Sequence, residues 1–370
     1  MYFQIIDNSR KCTKVYARGD FFDYRSRPEL NRTWRHTDHL ANREDVDYAY
    51  LYSGDGQLDS ACPIFVSDSW GNSSGKVSAI MKSVITANCN VEDHCIYDYI
   101  PSNLLAKFLK DKENIIQYVF ENSNRPGHYD ILRKAHILTE EMNAKNNLYK
   151  GELNKTNYDI FGTRTGRLSN KKSGIPILTM KKEDRCNLEP SNDLFVEFDF
   201  NAAELRTLLA LSGNEQPDID IHEWACTQAN ISREEMKKRT FAWLYNPEAR
   251  DSLLERFYDR DLVKNKYRTE TGVRTPFFRD IQIDERRALN YIVQSTSSDV
   301  CIEQAYKLRE LFKDCKTRVC YILHDSVVLD YDRADVGKFL EAKNIFSNTR
   351  FGKYVVNSSI GKNFGEMREV

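Results

Sequence analysis

Four side chains, each four residues after the last, could together bind a nucleotide: Arg233, Lys237, Phe241 and Tyr245. On an α-helix, residues four apart lie nearly above one another, so the series forms one stripe. The two cations at one end suit a polyphosphate, and the two rings at the other suit a flat base and its sugar. Ordinary amphipathicity of a surface helix would give the same spacing, so the rest of the chain must decide between these interpretations.

Two aspartates are each bounded by apolar, strand-like runs. In LFVEFDF (194–200) the apolar residues alternate with Glu197 and Asp199, which predicts a buried strand with Asp199 facing a cleft and a helix directly after it. Near the C-terminus, YILHDSVVLDY predicts a β-hairpin with Asp325 at its tip. A single aspartate at a turn is usually structural, but two of them around a nucleotide-type helix indicate a metal site.

Phosphoryl transfer explains why two carboxylates from different strands would be needed. Attack of a hydroxyl on an α-phosphate requires an acidified hydroxyl and a neutralised pyrophosphate, and two Mg²⁺ ions about 3.5–4 Å apart can supply both. Asp199 and Asp325 could hold these ions. Arg233 and Lys237 would then hold the β- and γ-phosphates, with Lys237 a candidate proton donor to the leaving pyrophosphate.

Size and composition predict an intracellular globular protein. At 370 residues and 41% hydrophobic content, the chain can bury a full core in two or three subdomains. Neither a membrane span nor a secretory signal is recognisable, so we expect a cytoplasmic protein (host cytoplasm for a viral one) without a membrane partner. The nine cysteines include no C-x-x-C pair, and the spacing of Cys89, His94 and Cys95 matches no standard metal site.

The net charge of −1 does not advertise nucleic-acid binding, but basic residues are segregated. The stretch 163–182 has six basic residues and no acidic one, and 264–279 has five basic residues against Glu270. Such runs are often only solvated faces. Because both flank the candidate site, we favour phosphate contact.

The elements around these motifs are unevenly predicted. Residues 1–95 are hard to interpret and contain strand-like pieces at 47–52 and 62–66. From about 102 to 147, two amphipathic patterns separated by Arg125-Pro126-Gly127 predict an αα-hairpin. Strand-like and helical patterns alternate beyond it.

Over about residues 150–335, collinear blocks resemble family A DNA polymerases. DFNAAELR (199–206) resembles the family's motif A, REEMKKRTFAWLY (233–245) its motif B and HDS (324–326) its motif C. TGRLS (165–169) matches a further block. Asp220-Ile221-His222 and ERRALNYIVQSTSSD (285–299) also agree with the family pattern.

The resemblance implies an α+β, right-hand polymerase fold with an antiparallel palm sheet. The thumb would be the helices of 96–150, the palm 151–213 and 285–370, and the fingers 214–284, with 1–95 of unknown role. It implies a DNA-directed DNA polymerase that uses two Mg²⁺ ions, dNTPs and primer–template DNA. A proofreading exonuclease of this family's type opens with D-x-E, which is absent before the hairpin; a separately encoded 3′→5′ exonuclease or other replication proteins are candidate partners.

The resemblance also implies individual roles. The metal would be held by Asp199, Asp325 and the Phe200 carbonyl. The nucleotide would be bound by His222, Arg233, Lys237, Phe241, Tyr245 and Glu204, the last two closing the space at the sugar 2′ position. DNA would be contacted by Arg167, Arg286, Asn290, Gln294 and His324; a polar helix face would equally explain the spacing of 286, 290 and 294.

Departures from the family pattern leave alternatives open. The acid that usually follows the motif C aspartate is Ser326, and Asn246-Pro247 replaces the glycine after the motif B tyrosine. One rival is a single-subunit RNA polymerase or primase of the same superfold, against which Glu204 argues because the RNA enzymes carry a small residue there. The other rival is a catalytically inactive DNA-binding subunit, against which the retained Asp199 and Asp325 argue.

Overall fold

The computed structural model describes residues 2–3, 14–17, 19–23, 58–89, 96–122, 126–171, 174–227, 229–246 and 248–370. The strand-like piece at 47–52 and the pair His94 and Cys95 lie outside these ranges. The chain divides into two compact units, Met1–Tyr129 and Asp130–Val370. None of the described helices is long and apolar enough to cross a membrane.

The first unit combines a small antiparallel sheet with two long helices. Its described elements are β1 (Tyr2–Phe3), β2 (Lys14–Ala17), β3 (Asp20–Asp23), α1 (Ile64–Thr86) and α2 (Ser102–Asn122), with 3₁₀ turns at Asp59–Ala61 and Ile96–Tyr99. Helix α1 packs on α2 through the stacked rings of Trp70 and Phe108, whose centroids are 5.3 Å apart. The buried Asp111 carboxylate accepts hydrogen bonds of 2.8 Å from Ser69 and Ser73, so a polar link accompanies the apolar contact.

The strand-like interpretation of residues 62–66 is wrong, because α1 begins at Ile64. The short apolar run is the first turn of a helix whose buried residues recur at helical spacing through Val66, Trp70 and Val77. Ile64 and Phe65 are instead exposed. The longer period, visible only over the next fifteen or so residues, outweighs the local β-propensity.

The second unit contains the remaining elements. In chain order they are α3 (Tyr129–Ala144), which begins at the boundary, β4 (Asn146–Tyr149), β5 (Glu152–Lys155), β6 (Tyr158–Asp159), β7 (Ser169–Asn170), α4 (Lys182–Arg185), β8 (Leu188–Glu189), β9 (Leu194–Phe200), α5 (Ala203–Leu211), α6 (Ile221–Thr227), α7 (Arg233–Tyr245), α8 (Arg260–Tyr267), β10 (Gly272–Arg274), β11 (Asp280–Gln282), α9 (Ala288–Leu311), β12 (Arg318–Leu323), β13 (Ser326–Tyr331), α10 (Phe339–Ser347), β14 (Asn348–Thr349), β15 (Gly352–Lys353), β16 (Val356–Gly361) and β17 (Arg368–Glu369).

The central sheet of this unit has the strand order β12-β13-β9-β16-β17, and every neighbouring pair is antiparallel. The predicted α+β class, the strand over 194–200 and the hairpin around Asp325 are therefore confirmed. Both helices predicted within 102–147 are present as α2 and α3. Their assignment to a thumb, like the palm and finger ranges, stays a prediction.

The two faces of the sheet differ in chemistry because side chains alternate along each strand. On the back face, Phe198 and Phe200 pack against Phe346 of α10, and the Phe200 and Phe346 rings stack at 4.2 Å. On the front face, Asp199 lies in register with Ser326 on one neighbouring strand and Asn357 on the other. The apolar face anchors the sheet and leaves the polar face for chemistry.

A second cluster of buried residues joins helices α5 to α9. Leu208 of α5, Met236 of α7, Val263 of α8 and Ile292 of α9 are all fully buried in it. Helix α7 is therefore held by the same core as α5, the helix that directly follows Asp199.

Candidate active site

Asp199 and Asp325 meet at one end of the central sheet. Asp199 is the penultimate residue of β9, and Asp325 lies in the two-residue turn between β12 and β13. The Phe200 N–H donates to the Asp325 carbonyl at 3.4 Å, which joins the turn to the strand end. The structure thus brings the two aspartate-bearing segments together, and their role as metal ligands stays a prediction.

The turn that carries Asp325 has an unusual backbone. His324, its first residue, has φ of 62°, as the first central residue of a type II′ hairpin turn requires. Glycine adopts this conformation more readily than histidine does, and strained residues of this kind concentrate at functional sites. Desolvation lowers the pKa of His324, and the nearby Arg167 and Arg185 lower it further, so the imidazole is neutral at pH 7.

The carboxylates crowd one another. Burial raises the pKa of Asp199 to about 7, and the charges of Asp325 and Glu197 add to this effect, while a hydrogen bond from Asn357 opposes it. The pKa of Asp325 is also raised, mainly by burial, with Glu204 and Glu197 contributing and the positive charge of Arg167 opposing. Such mutual repulsion is the electrostatic condition that a divalent cation relieves.

Glu197 is a carboxylate of this site whose role sequence reasoning missed. It precedes Asp199 by two residues and therefore shares the front face of β9. The Ser326 hydroxyl donates to the Glu197 Oε1 at 2.7 Å. The alternation in LFVEFDF already placed Glu197 beside Asp199, but nothing in the sequence links residue 197 to residue 326.

A cleft of about 750 Å³ opens over this face. Its walls combine Glu197, Asp199 and Asp220 with the cations Arg185 and Arg233. Arg185, like Asn357, was not predicted from the sequence. Its position three residues beyond the acid-poor basic stretch 163–182 was the available signal; Lys172 and the Lys182 side chain of that stretch lie outside the described residues.

Helix α7 covers Arg233–Tyr245, the stretch that carries the predicted stripe. Ser232 caps it by accepting from the Glu235 N–H at 3.2 Å, the arrangement that the S-x-x-E spacing favours. Met236, Thr240 and Trp243 bury the opposite side, whereas Arg233, Lys237 and Phe241 form an exposed stripe. Tyr245 is the last residue of the helix, and its side chain lies outside the described part of the chain.

Arg233 reaches the cleft in an ion pair with Asp220. Arg233 Nη2 and Asp220 Oδ2 are 2.8 Å apart. The same carboxylate accepts from the Asn201 amide and from the backbone N–H of His222. Hydrogen bonds from Arg233, Asn201 and the Glu223 N–H hold the pKa of Asp220 well below its usual range despite partial burial. Asp220 thus ties the start of α7 to the loop that follows β9.

His222 lies buried between this ion pair and the aromatic end of the stripe. Its ring centroid is 6.1 Å from that of Phe241. Burial lowers the pKa of His222, and Arg233 and Lys237 lower it further, against the charge of Asp220. A neutral imidazole at pH 7 can donate one hydrogen bond without adding charge.

The positions of four other predicted site residues are described, but their roles stay predictions. Glu204, in the first turn of α5, is close enough to act on Asp325. Arg286 is exposed in a 3₁₀ turn before α9, and Asn290 and Gln294 are half-buried on that helix. Their contacts with DNA stay predictions, as does metal binding by the Phe200 carbonyl.

The chemistry of the donors suits a hard divalent cation. Carboxylate oxygens of Asp199 and Asp325 are the ligands Mg²⁺ prefers, and this ion keeps waters and substrate oxygens in its remaining positions. Within the described residues, no group of three His, Cys, Asp or Glu side chains is arranged to hold a metal ion alone. With Asp199 and Asp325 as ligands, solvent and a bound phosphate would fill the remaining positions around such a cation.

The chain is similar to parts of a phage protein and of a solved polymerase domain. No family model matches the chain. A stretch of 181 residues is 26% identical to a protein of Mycobacterium phage L5 named DNA polymerase, covering 40% of this chain and 30% of the phage protein. The match thus spans less than a third of that relative's length.

A solved structure with a similar fold is the polymerase domain of Pol1 from M. smegmatis, in complex with DNA primer–template and dNTP. The TM-score is 0.48 at 14% identity, over 86% of this chain and 66% of that chain.

Proposed function

We propose that this chain is a template-directed DNA polymerase that adds dNTPs to a primer 3′-hydroxyl. The observation that supports this most directly is the position of Asp199, at the strand end that contacts the Asp325 turn, in a cleft that Arg233 also lines. The similarity to the phage DNA polymerase supports the same activity.

In this proposal Asp199, Asp325 and the Phe200 carbonyl bind two Mg²⁺ ions. Bound Mg²⁺ would lower the pKa of the primer hydroxyl and neutralise charge on the departing pyrophosphate. The burial and mutual repulsion of the two aspartates make them ready to bind such cations, because each charge is otherwise poorly compensated.

The exposed stripe of α7 would bind the nucleotide. Arg233 exchanges its bond with Asp220 for the triphosphate, and Lys237 holds a phosphate oxygen and donates a proton to the leaving pyrophosphate. His222 donates a neutral hydrogen bond to the same oxygens. Phe241 packs on the sugar and base, with Glu204 and Tyr245 closing the space at the sugar 2′ position.

The duplex would lie along the remaining predicted residues. Arg167, Arg286, Asn290 and Gln294 would donate to the minor groove, and His324 would contact the primer end. Every base pair presents purine N3 or pyrimidine O2 acceptors in that groove, so fixed donors can check pairing geometry without selecting a sequence.

The test is extension of a labelled primer on a DNA template with Mg²⁺, offering dNTPs or rNTPs separately. The Asp325→Ala variant should lose extension by about a thousandfold or more, because metal ions supply several kcal/mol to such reactions. Its binding of primer–template, measured by fluorescence anisotropy, should be unchanged. Asp314→Ala, at an exposed aspartate away from the sheet end, is the matched control.

Different outcomes separate the candidate activities. Normal extension by Asp325→Ala would refute the metal assignment. Efficient use of rNTPs by the unmodified chain would place it among RNA-synthesising enzymes and show that Glu204 does not gate the sugar. Tight primer–template binding without extension by either substrate would favour an inactive DNA-binding subunit.

A further inference from the structure

Glu197 is a third carboxylate on the front face of the sheet, and the mechanism above does not use it. It lines the same cleft as Asp199, two residues away along β9. Its negative charge acts on both Asp199 and Asp325. Glu197 is therefore electrostatically part of the candidate metal site.

Ser326 fixes the orientation of this carboxylate. Ser326 is 3% exposed and lies opposite Asp199 in the β9–β13 register, so Glu197 is its diagonal neighbour on the same face. The Ser326 hydroxyl donates to one carboxylate oxygen of Glu197 at 2.7 Å. Among the described residues, no hydrogen bond or ion pair involves the other oxygen, which leaves it available in the cleft.

The arrangement argues against direct ligation by all three acids. Glu197, Asp199 and Asp325 do not form a three-ligand metal group. Mg²⁺ commonly binds one or two carboxylates and retains several waters. A third carboxylate near such an ion acts on its coordinated water and on its charge.

We propose that Glu197, held by Ser326, is a positioning residue of the divalent-cation site that strengthens cation binding without direct ligation. The proposal rests on the proposed function, since it takes Asp199 and Asp325 as the cation ligands. Glu197 supplies a fixed negative charge and a hydrogen-bond acceptor for the water of the bound ion, from the strand that carries Asp199.

The experiment measures Mn²⁺ binding by the full chain, following the electron paramagnetic resonance signal of the free ion. Mn²⁺ takes the same oxygen ligands as Mg²⁺. Glu197→Gln should weaken binding about tenfold, in the range typical for outer-shell partners of metal sites. Glu197→Asp keeps the charge and should stay within about threefold of the unmodified chain. Glu369→Gln, at another glutamate that lines the cleft, should leave the affinity unchanged.

The outcomes for this inference and for the proposed function are distinguishable. If Asp325→Ala abolishes extension and weakens Mn²⁺ binding while Glu197→Gln binds like the unmodified chain, the inference is wrong and the polymerase proposal stands. If Asp325→Ala alters neither property, the polymerase proposal itself falls. Should Glu197→Gln lose its native circular dichroism spectrum, Ser326→Ala replaces it: weakening of about threefold or more supports the inference, and unchanged affinity overturns it.

Discussion

At the scale of single residues, the candidate site accumulates charge that the fold does not compensate. The charges of Asp325 and Glu197 act on Asp199, and together with burial they raise the pKa of Asp199 to about 7. An isolated fold would gain stability by losing one of these charges. Their retention is the pattern expected of a site organised for a ligand of opposite charge.

The raised pKa of Asp199 makes the stability of the protein depend on pH. Because the folded pKa of Asp199, about 7, exceeds the ordinary value of 3.8, the folded state keeps a proton that the unfolded state releases. Stability of the cation-free protein should therefore fall as pH rises from 4 to 7. Asp199→Asn should be more stable than the unmodified chain at pH 8 in EDTA, by about 2 to 4 kcal/mol.

Urea unfolding at pH 8 and pH 4.5 measures this difference, which should nearly vanish at the lower pH. Mg²⁺ should stabilise the unmodified chain and have little effect on Asp199→Asn. Asp314→Asn, at an exposed aspartate, should be neutral at both pH values. An Asp199→Asn variant that is less stable at pH 8 would contradict the crowding described for this site.

Arg233, which we predict to bind phosphate, is paired with a carboxylate of the protein itself. Asp220 holds its guanidinium at 2.8 Å and also caps the start of α6. A bound triphosphate would therefore replace Asp220 as the partner of Arg233. The ion pair with Asp220 keeps the Arg233 side chain at the cleft.

At the scale of elements, the sequence predicts those helix and strand positions that depend on interactions between neighbouring residues. The start of α7 and the strand over 194–200 could be predicted because capping and alternation are encoded within a few neighbouring residues. The C-terminal end of α7 could not. There the buried Arg260 guanidinium donates to the carbonyls of Trp243 and Asn246 at 2.9 and 3.2 Å, and no short-range pattern links residue 260 to that end.

Contacts across strands escaped prediction for the same reason. Asn357 reaches Asp199 only because β16 pairs with β9, more than 150 positions apart along the chain. Glu197 and Ser326 meet through the register of β9 and β13. Asp199 and Asp325 could be predicted because each lies in a short segment with a recognisable pattern. The contacts of their polar neighbours depend on strand pairing and are visible only in the folded structure.

The loop that contains TGRLS (165–169) makes a long-range contact that a substitution can test. Gly166 has φ of 76°, and a Cβ there would lie 2.5 Å from the Arg279 guanidinium carbon. Arg279 cannot easily move away, because it is paired at 2.8 Å with Asp299, which is 1% exposed. The loop that carries Arg167 is thereby seated on a buried ion pair.

Gly166→Ala should destabilise the protein by about 3 kcal/mol or more, combining backbone strain with disruption of a buried charge pair. Gly151→Ala is the matched control, since Gly151 has φ of 79° and open space around a built Cβ. It should cost only about 1 to 2 kcal/mol. Urea unfolding compares the two variants; equal losses would mean that the Arg279–Asp299 pair adjusts freely.

At the scale of the whole molecule, the chemistry is confined to one of the two units. Every predicted site residue lies within Asp130–Val370, which has its own buried cluster around α5 to α9. The unit Met1–Tyr129 has a separate core around α1 and α2. A boundary at 129–130 divides the range 96–150 that the sequence assigned to a thumb.

A fragment covering 126–370 should therefore fold by itself and bind Mn²⁺ within about threefold of the full chain, since the metal-site carboxylates and their supporting core are all retained. Circular dichroism and paramagnetic resonance measure the two properties. If α2 contributes to DNA binding as the thumb assignment predicts, the fragment should bind primer–template more weakly. Failure of the fragment to fold would show that the two units depend on each other.

The placement of β9 between β13 and β16 has an evolutionary consequence. Alternation along a strand has a period of two, so one inserted residue between 194 and 199 would turn the carboxylate of residue 199 toward the aromatic layer that contains Phe346. A two-residue insertion would keep it in the cleft. Insertions or deletions of an odd number of residues in these strands should therefore be selected against. Descendants of this chain should differ there by even numbers of residues, while their loops vary freely.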